Sequence, residues 1–331
     1  MVDQRQAREF NSAMTLADLP EDFQVWLAGS RRAPANDSEP FSETDLRGRL
    51  PQEVRSVFMA SLTRRNTLRL PVSTRVLIRP RNRGELVAAL EALQHSGIPR
   101  VILGGGSNLF FAQPHFGGAV VDTSLMTAVV VREESIVADA GVPMPRLVRA
   151  AARQGLGGFE YLVSVPGTVG GGIFTNAGRG RRLGLNLSDW VESVDVYTPG
   201  GLQTLTRAEC EFGFRWSVFQ RQTAWVILGA RLRALPAAPA EVDQRIRIRM
   251  DWVRRRQHRD KPNAGSVFKA GYRIDNRALR AGGAGFSNRT RNWIVNLGGA
   301  TSSDVLKLLS ACRQAHLARG LPAPTLEWQV V

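Results

Sequence analysis

The stretch Gly158-Phe-Glu-Tyr-Leu-Val-Ser-Val-Pro-Gly-Thr-Val-Gly-Gly-Gly-Ile-Phe-Thr-Asn-Ala-Gly178 decides how this chain is organised. It is dense in glycine, framed by apolar residues and almost free of charge. Glycine is used where φ must be positive or where no Cβ can be tolerated, so this run allows the backbone to approach a ligand closely. A glycine cluster can also mark only a tight connection between strands, and the stretch alone leaves both interpretations open.

A second glycine-rich loop lies upstream, at Gly104-Gly-Gly-Ser-Asn108. It follows a short apolar strand predicted at residues 100–103 and a helix predicted over residues 85–94 from the spacing of its apolar residues. No GxGxxG motif opens a helix here, so a Rossmann dinucleotide site is not expected. The N–H groups of such a loop can form an anion-binding nest for a pyrophosphate, with Ser107 and Asn108 adding side-chain hydrogen bonds. Two glycine loops indicate one extended ligand.

The composition bounds the partners of the protein. The 331 residues, 43% of them hydrophobic, are enough for two or three lobes with their own cores. A net charge of +15 raises nucleic acid or an anionic membrane as a partner, but the basic residues are scattered through every predicted element. Proteins that bind nucleic acids use a compact basic patch, so we predict no nucleic-acid partner. A phosphate-bearing small molecule would benefit from the same positive field.

Cysteine usage and the lengths of apolar runs bound the compartment. Cys210 and Cys312 are far apart and have no CxxC or Cys/His spacing, so we predict neither a disulfide framework nor a metal site. No apolar stretch of signal length follows the amino terminus, and no run approaches the ~20 residues that a membrane helix needs. These features predict a cytoplasmic protein without membrane contact.

The element pattern divides the chain into four predicted parts. Residues 1–55 form an N-terminal extension that we expect to be partly disordered, although Phe23-Gln-Val-Trp-Leu27 could dock. Residues 56–118 and 119–235 form two subdomains, the second with a helix over 144–154 and a hairpin over 190–205. Residues 236–331 form the last domain, with helices predicted over 241–259 and 303–318 and an N-cap cluster at Thr301-Ser-Ser-Asp304.

Arg215 lies in a segment rich in aromatic residues, Glu209-Cys-Glu-Phe-Gly-Phe-Arg-Trp-Ser-Val-Phe219. An arginine in such a setting either rests at the surface on aromatic faces or acts as a buried anion clamp. The segment itself does not decide between these two roles.

Four motifs in this order resemble the UDP-N-acetylenolpyruvoylglucosamine reductase (MurB) family, from about Asn66 onward. They are Leu103-Gly-Gly-Gly-Ser-Asn-Leu109, Val165-Pro-Gly-Thr-Val-Gly-Gly171 with Asn176-Ala-Gly178, Phe214-Arg-Trp-Ser-Val-Phe219 and Gly265-Ser-Val-Phe-Lys269. The resemblance implies an α+β fold. A vanillyl-alcohol-oxidase-type FAD-binding module of two α+β subdomains would be followed by a C-terminal α+β substrate-binding domain.

The resemblance also implies the ligands. FAD would be bound noncovalently and NADPH would be the electron donor. The substrate would be a phosphate-bearing UDP-sugar of peptidoglycan biosynthesis, whose enolpyruvyl ether is reduced to a lactyl ether. The implied FAD-binding residues belong to the two glycine loops and are Gly104, Gly105, Gly106, Ser107, Asn108, Pro166, Gly167, Thr168, Gly170, Gly171, Asn176 and Gly178.

In that family an arginine and an acid stabilise the developing negative charge, and a serine hydroxyl supplies a proton. The motif match implies that Arg215 is the arginine and Ser266 the proton donor, although Ser266 could also be only a structural turn residue. The family's closing motif, Leu-Glu-x-Glu-Val, is Leu326-Glu-Trp-Gln-Val330 here. Gln329 therefore stands in the place of the acid, and an amide cannot transfer a proton. Glu327 projects to the same face of a strand and could substitute for it.

Other positions also depart from the family pattern. Leu70-Pro-Val-Ser-Thr74 replaces Ile-Gly-Gly-Pro-Ala, Phe214 replaces a tyrosine, Ala270 replaces an asparagine, and Arg179-Gly-Arg-Arg182 replaces Ala-Tyr-Gly. Three functions stay open at this point: the reductase itself, a paralogue that keeps FAD but acts on a different substrate, and a non-catalytic flavin-binding protein. The sequence does not indicate the oligomeric state.

Overall fold

The computed structural model describes residues 15–30, 42–179, 183–258, 260–269 and 274–331. The α-helices in these ranges are α1 (Glu21–Ala28), α2 (Glu43–Arg49), α3 (Arg83–His95), α4 (Met144–Ala152), α5 (Val169–Thr175), α6 (Pro239–Arg256) and α7 (Ser302–Leu317). The strands are β1 (Arg55–Ser61), β2 (Ser73–Arg79), β3 (Arg100–Leu103), β4 (Leu109–Phe110), β5 (His115–Asp122), β6 (Val129–Arg132), β7 (Ser135–Asp139), β8 (Leu156–Gly157), β9 (Gly178–Arg179), β10 (Leu185–Asn186), β11 (Val191–Thr198), β12 (Gly201–Thr206), β13 (Val226–Arg233), β14 (Leu235–Pro236), β15 (Asn263–Ser266), β16 (Arg280–Ala281), β17 (Ala284–Phe286), β18 (Trp293–Asn296) and β19 (Gln329–Val330).

The first sheet has the strand order β1-β2-β5-β3, in which β5 runs parallel to both of its neighbours. Helix α3 connects β2 to β3 and buries its apolar face, as the spacing over residues 85–94 predicts. The end of β3 delivers the first glycine loop. The boundary that we expect at residue 118 falls inside β5, which pairs with β3 as far as Asp122.

The second sheet has the order β12-β11-β13-β7-β6 and is antiparallel throughout. Its β11–β12 hairpin, with Thr198 opposite Gly201, confirms the hairpin predicted over residues 190–205. Helices α4 and α5 share its core through residues such as Leu147 and Ile173, both fully buried. This sheet and its helices hold the second glycine loop.

The glycine run within residues 158–178 is less of a loop than its composition predicts, because α5 begins at Val169. Within it, φ is positive at Gly158 and Gly167, and also at Asn176, which ends α5 in the left-handed conformation. Gly172 has a different reason to be glycine: a Cβ there would lie 2.0 Å from Cε of Met144. Part of the run therefore serves close packing of α5 against α4.

The C-terminal region contains the antiparallel sheet β15-β18-β17-β16, with α7 packed on it. The predicted N-cap is confirmed, since Oγ1 of Thr301 accepts a 3.2 Å hydrogen bond from the Asp304 N–H. Its core is continuous with that of the first sheet and includes the fully buried Trp328. None of the helices in the described ranges is long and apolar enough to cross a membrane.

The described part of the N-terminal extension is folded onto this shared core. Phe23 and Leu27 of α1 are buried in it, which confirms that the segment docks. The indole N–H of Trp26 donates a 3.0 Å hydrogen bond to the Pro324 carbonyl. Residues 1–14 and 31–41 lie outside the described ranges, and so do Ala270 and residues 180–182, for which the sequence shows departures from the family pattern.

Candidate cofactor and active site

The two glycine loops lie in direct backbone contact. A Cβ on Gly105 would be 2.5 Å from Cα of Gly167, and a Cβ on Gly104 would be 2.5 Å from Oγ1 of Thr168. Oγ of Ser107 donates a 3.1 Å hydrogen bond to the Pro166 carbonyl. Only glycine permits this approach, so the loops that the sequence predicts as partners form one surface, which we call the glycine cradle (residues 104–108 and 166–168).

Two features of the cradle fit the pyrophosphate of FAD. The backbone N–H groups of Gly105, Gly106 and Ser107 donate no hydrogen bond to any described residue. The Thr168 hydroxyl is buried and likewise has no partner among them. An unpaired buried polar group costs about 1–3 kcal/mol, and an oxygen-rich anion held against these donors removes that cost. The residues present therefore fit the implied cofactor.

Other predicted cofactor residues lie outside the cradle and are fixed by hydrogen bonds or close packing. Asn176 uses its side-chain amide to donate to the Gly213 carbonyl (2.8 Å) and to accept from the Ser188 N–H (3.1 Å). A Cβ on Gly178 would lie 2.1 Å from the Leu185 carbonyl oxygen, and one on Gly170 would lie 2.9 Å from Cβ of Ala140. The structure explains these identities by packing, whereas the side of Gly171 is open apart from Thr168 at 3.7 Å.

Arg215 contacts the end of the second glycine run and is largely buried, with 13% of its side chain exposed. Its Nη1 donates to the Asn176 carbonyl (3.1 Å), its Nη2 donates to the Gly178 carbonyl (2.8 Å), and its Nε donates to Oε1 of Glu327 (3.0 Å). The guanidinium also lies 5.3 Å from the ring centroid of Phe214. Of the two roles open for this arginine, the structure favours a buried cation held by hydrogen bonds.

Glu327 is the carboxylate that the structure places against Arg215. Burial raises the pKa of Glu327 above its usual value, while the charge and hydrogen bond of Arg215 and the charge of Lys269 act in the opposite direction. Net burial dominates, so this carboxyl holds its proton to a higher pH than an ordinary glutamate does.

Gln329 and Ser266 lie in segments next to Glu327: Gln329 follows it by two positions, and the neighbours of Ser266 are hydrogen-bonded to residues 327 and 328. β19, which contains Gln329, pairs in parallel with β4, and the side chain of Asn108 donates to the Glu327 carbonyl at 3.0 Å. Gln329 is buried, and its Nε2 donates to that same carbonyl at 3.2 Å. Ser266 lies between Ala264, which accepts from the Trp328 indole (2.9 Å), and Val267, which accepts from the Glu327 N–H (2.8 Å).

One positioning residue has no signal in the sequence. Asn292 donates from Nδ2 to the Phe268 carbonyl (2.7 Å) and accepts from the Phe268 N–H (3.0 Å), which fixes the backbone just after Ser266. These residues are 24 positions apart, on segments whose pairing no short motif reports. Its role follows only from the fold.

Residues 74–224 match the family described as FAD binding domain, and residues 257–319 match UDP-N-acetylenolpyruvoylglucosamine reductase, C-terminal domain.

Among curated proteins, the UDP-N-acetylenolpyruvoylglucosamine reductase of Moorella thermoacetica is 35% identical over 264 residues, which cover 77% of this chain and 86% of the relative. That of Anaeromyxobacter sp. is 32% identical over 299 residues, 87% of this chain and 90% of the relative. The crystal structure of UDP-N-acetylenolpyruvylglucosamine reductase (MurB) from Thermus caldophilus superposes with a TM-score of 0.69 at 28% identity, covering 84% of this chain and 98% of that one. This likeness confirms the predicted α+β fold.

Proposed function

Since the chain belongs to the UDP-N-acetylenolpyruvoylglucosamine reductase family, and is thus an FAD-dependent oxidoreductase, we propose that it reduces an enolpyruvyl ether on a UDP-sugar and that Glu327 takes the part of the family acid. The role of Glu327 is supported by the 3.0 Å hydrogen bond that Nε of Arg215 donates to Oε1 of Glu327. Gln329, at the position of the acid in the family motif, points its amide N–H at a backbone carbonyl instead.

Arg215, Glu327 and Ser266 each have a separate role in the proposed reaction. FAD, held by the glycine cradle and reduced by NADPH, would supply the hydride. Arg215 stabilises the negative charge that develops next to the substrate carboxylate, because its guanidinium is fixed by two backbone carbonyls and needs no reorganisation. Glu327 orients that guanidinium and, when protonated, donates a hydrogen bond to the same charge. Ser266, the last residue of β15, supplies the proton that completes the reduction.

A second candidate keeps the same chemistry but changes the substrate. Three departures from the family pattern near Arg215 favour it. Phe214 lies against the Arg215 guanidinium, Arg179 follows Gly178, and Gln329 is two positions after Glu327. In this alternative the enzyme is a paralogue that acts outside peptidoglycan precursor synthesis.

Turnover separates the two candidates. The FAD-loaded protein is mixed with NADPH, and absorbance is followed with and without UDP-N-acetylglucosamine enolpyruvate. We expect NADPH oxidation that depends on this substrate; flavin-loaded protein that shows none would favour the paralogue and contradict the main proposal.

The role of Glu327 is tested by Glu327→Gln, which we expect to lower kcat by about 10–10²-fold, the range for the loss of a hydrogen bond to a charged group. The matched control is Glu211→Gln, since Glu211 also pairs with an arginine, Arg221, but is about half-exposed. The control variant keeps its kcat. Equal rates for wild type and Glu327→Gln, with FAD bound in both, would remove Glu327 from the chemistry.

A further inference from the structure

Three arginines surround one tryptophan beside the active site. Arg249, Trp252 and Arg256 lie on α6, and Arg179 lies on β9. The guanidinium carbons of Arg249, Arg256 and Arg179 lie 4.8, 5.4 and 5.6 Å from the centroid of the Trp252 ring. We call these four residues the arginine–tryptophan cluster. Three cations around a single aromatic ring repel one another, so the arrangement calls for an anion.

Neighbouring carboxylates do not supply that anion. Glu160 accepts from Arg245 at 3.3 Å, and Asp251 accepts from Arg254 at 2.7 Å. Within the described ranges, no carboxylate lies at ion-pair distance from any arginine of the cluster. The cluster therefore carries about three uncompensated positive charges.

Arg249 is the best indication that a ligand belongs there. Its Nε donates a 2.7 Å hydrogen bond to Oγ of Ser164, but its Nη1 is buried and has no partner among the described residues. Burial, and secondly the charge of Arg179, lower the pKa of Arg249 to about 10, so the group is still a cation at neutral pH. On a solvated arginine face, by contrast, water would reach each head group.

The cluster adjoins both parts of the proposed active site. Arg179 directly follows Gly178, whose carbonyl accepts from Arg215. Ser164, the partner of Arg249, ends the 3-10 turn Glu160–Ser164 and precedes the cradle residue Pro166 by two positions. A ligand bound at the cluster would extend toward the cradle and Arg215.

We propose that the arginine–tryptophan cluster binds a phosphate group of a nucleotide ligand. Guanidinium groups bind phosphate oxygens through paired, charge-assisted hydrogen bonds. Nη1 of Arg249 can donate such a bond to a phosphate oxygen. Trp252, which is 39% exposed, offers a flat apolar surface next to that position. That the ligand is a nucleotide rests on the proposed function, whereas the anion site itself does not.

Inorganic pyrophosphate is the direct probe, titrated calorimetrically into the FAD-loaded protein. We expect Arg249→Ala to weaken its binding by at least about tenfold, as expected for the loss of a charge-assisted pair. Arg247→Ala, which removes an exposed arginine of the same helix, is the matched control and should leave the affinity within about twofold of wild type, by the usual small effect of surface charges. If wild type binds no pyrophosphate, or binds it as tightly as Arg249→Ala does, the proposal is overturned.

Two nucleotides identify the source of the phosphate. UDP carries the diphosphate of the proposed substrate, and adenosine 2′,5′-bisphosphate carries the 2′-phosphate of NADPH. The one whose affinity falls in Arg249→Ala names the ligand, and either result supports the site. FAD content and melting temperature are measured on each variant. Should Arg249→Ala fail to fold, Arg256→Ala removes an exposed member of the cluster and is expected to weaken pyrophosphate binding by about threefold, within the range for partly screened charges.

The two proposals can fail separately. Absence of turnover with pyrophosphate binding that depends on Arg249 would contradict the proposed substrate and leave the anion site standing. Turnover with pyrophosphate binding that does not depend on Arg249 would support the proposed substrate and contradict the anion site.

Discussion

The glycine cradle and the Arg215–Glu327 pair differ in what holds their residues in place. In the cradle the requirement is steric, because any Cβ on Gly105 would meet the backbone of Gly167 at 2.5 Å. At the pair it is chemical, because a glutamine fits almost any space that a glutamate fills. The cradle residues belong to the motifs through which the sequence resembles the family, whereas the other end of the site has Gln329 where that resemblance implies an acid. A contact made by backbone atoms restricts the residue at a position more narrowly than a contact made by a side chain.

The largest effect is expected from Arg215→Ala, at the chemical end. Removal of one preorganised donor to a developing charge costs about 10²–10³ in kcat. FAD binding should be unchanged, since Arg215 contacts the carbonyls of Asn176 and Gly178 and no cradle residue. Steady-state NADPH oxidation measures the first effect and the flavin spectrum the second. Arg221→Ala, which removes an exposed arginine of the same loop, is the control. Loss of FAD in Arg215→Ala would erase the distinction between the two regions.

Gly105→Ala is expected to do the opposite, with a smaller but still clear effect on the cradle. Overpacking of this kind costs about 1–3 kcal/mol, so FAD affinity should fall by about tenfold or more. Gly48→Ala is the matched control, because a Cβ there meets nothing within 4 Å and the position lies within α2. The control should be stabilised by about 0.5–1 kcal/mol. Retention of wild-type FAD affinity in Gly105→Ala would show that the loops separate at little cost.

The raised pKa of Glu327 predicts a pH dependence of stability. The folded state holds this proton more tightly than the unfolded state, in which the value is near 4.5. The stability associated with Glu327 is thus fully present below pH 4.5 and is lost as the pH rises through the native pKa. Urea unfolding of wild type and Glu327→Gln, compared between pH 4 and 7, should show wild type losing stability relative to the variant. Parallel curves over that range would mean that burial does not dominate at this carboxyl.

Ser107→Ala should have the smallest effect. It removes one hydrogen bond between the two loops, to the Pro166 carbonyl, while the glycine contacts remain. A hydrogen bond of this kind contributes about 1 kcal/mol, so FAD affinity should fall by roughly fivefold. Ser61→Ala, in the first sheet and exposed, serves as control. A loss as large as that of Gly105→Ala would indicate that the side chain, and not the backbone, organises the cradle.

Much of this arrangement can be predicted from the sequence where local rules apply. Helices α3 and α7, the β11–β12 hairpin and the adjacency of the glycine loops follow from apolar spacing, capping residues and motif order. The helix within the glycine run could not be predicted, because three consecutive glycines favour a loop. Tertiary packing against Met144 overrides that preference.

The pairing of Arg215 with Glu327 could not be predicted from the sequence, for a different reason. The sequence identifies Arg215, Glu327 and Gln329 as candidates, but strand geometry places both Glu327 and Gln329 on one face and does not say which one meets the arginine. That choice depends on how the segment after Leu326 pairs with residues 108 and 267. Contacts between such distant segments leave no local pattern.

The bond from Asn108 to the Glu327 carbonyl spans 219 positions and also times the assembly of the enzyme. The first glycine loop leaves the ribosome early, at about 5–20 residues per second, many seconds before the partner strand is synthesised. Arg215 therefore lacks its carboxylate until the C-terminal segment has been synthesised. Because that segment also contributes Trp328 to the core shared with the first sheet, the catalytic pair and the packing beneath the first glycine loop are completed together.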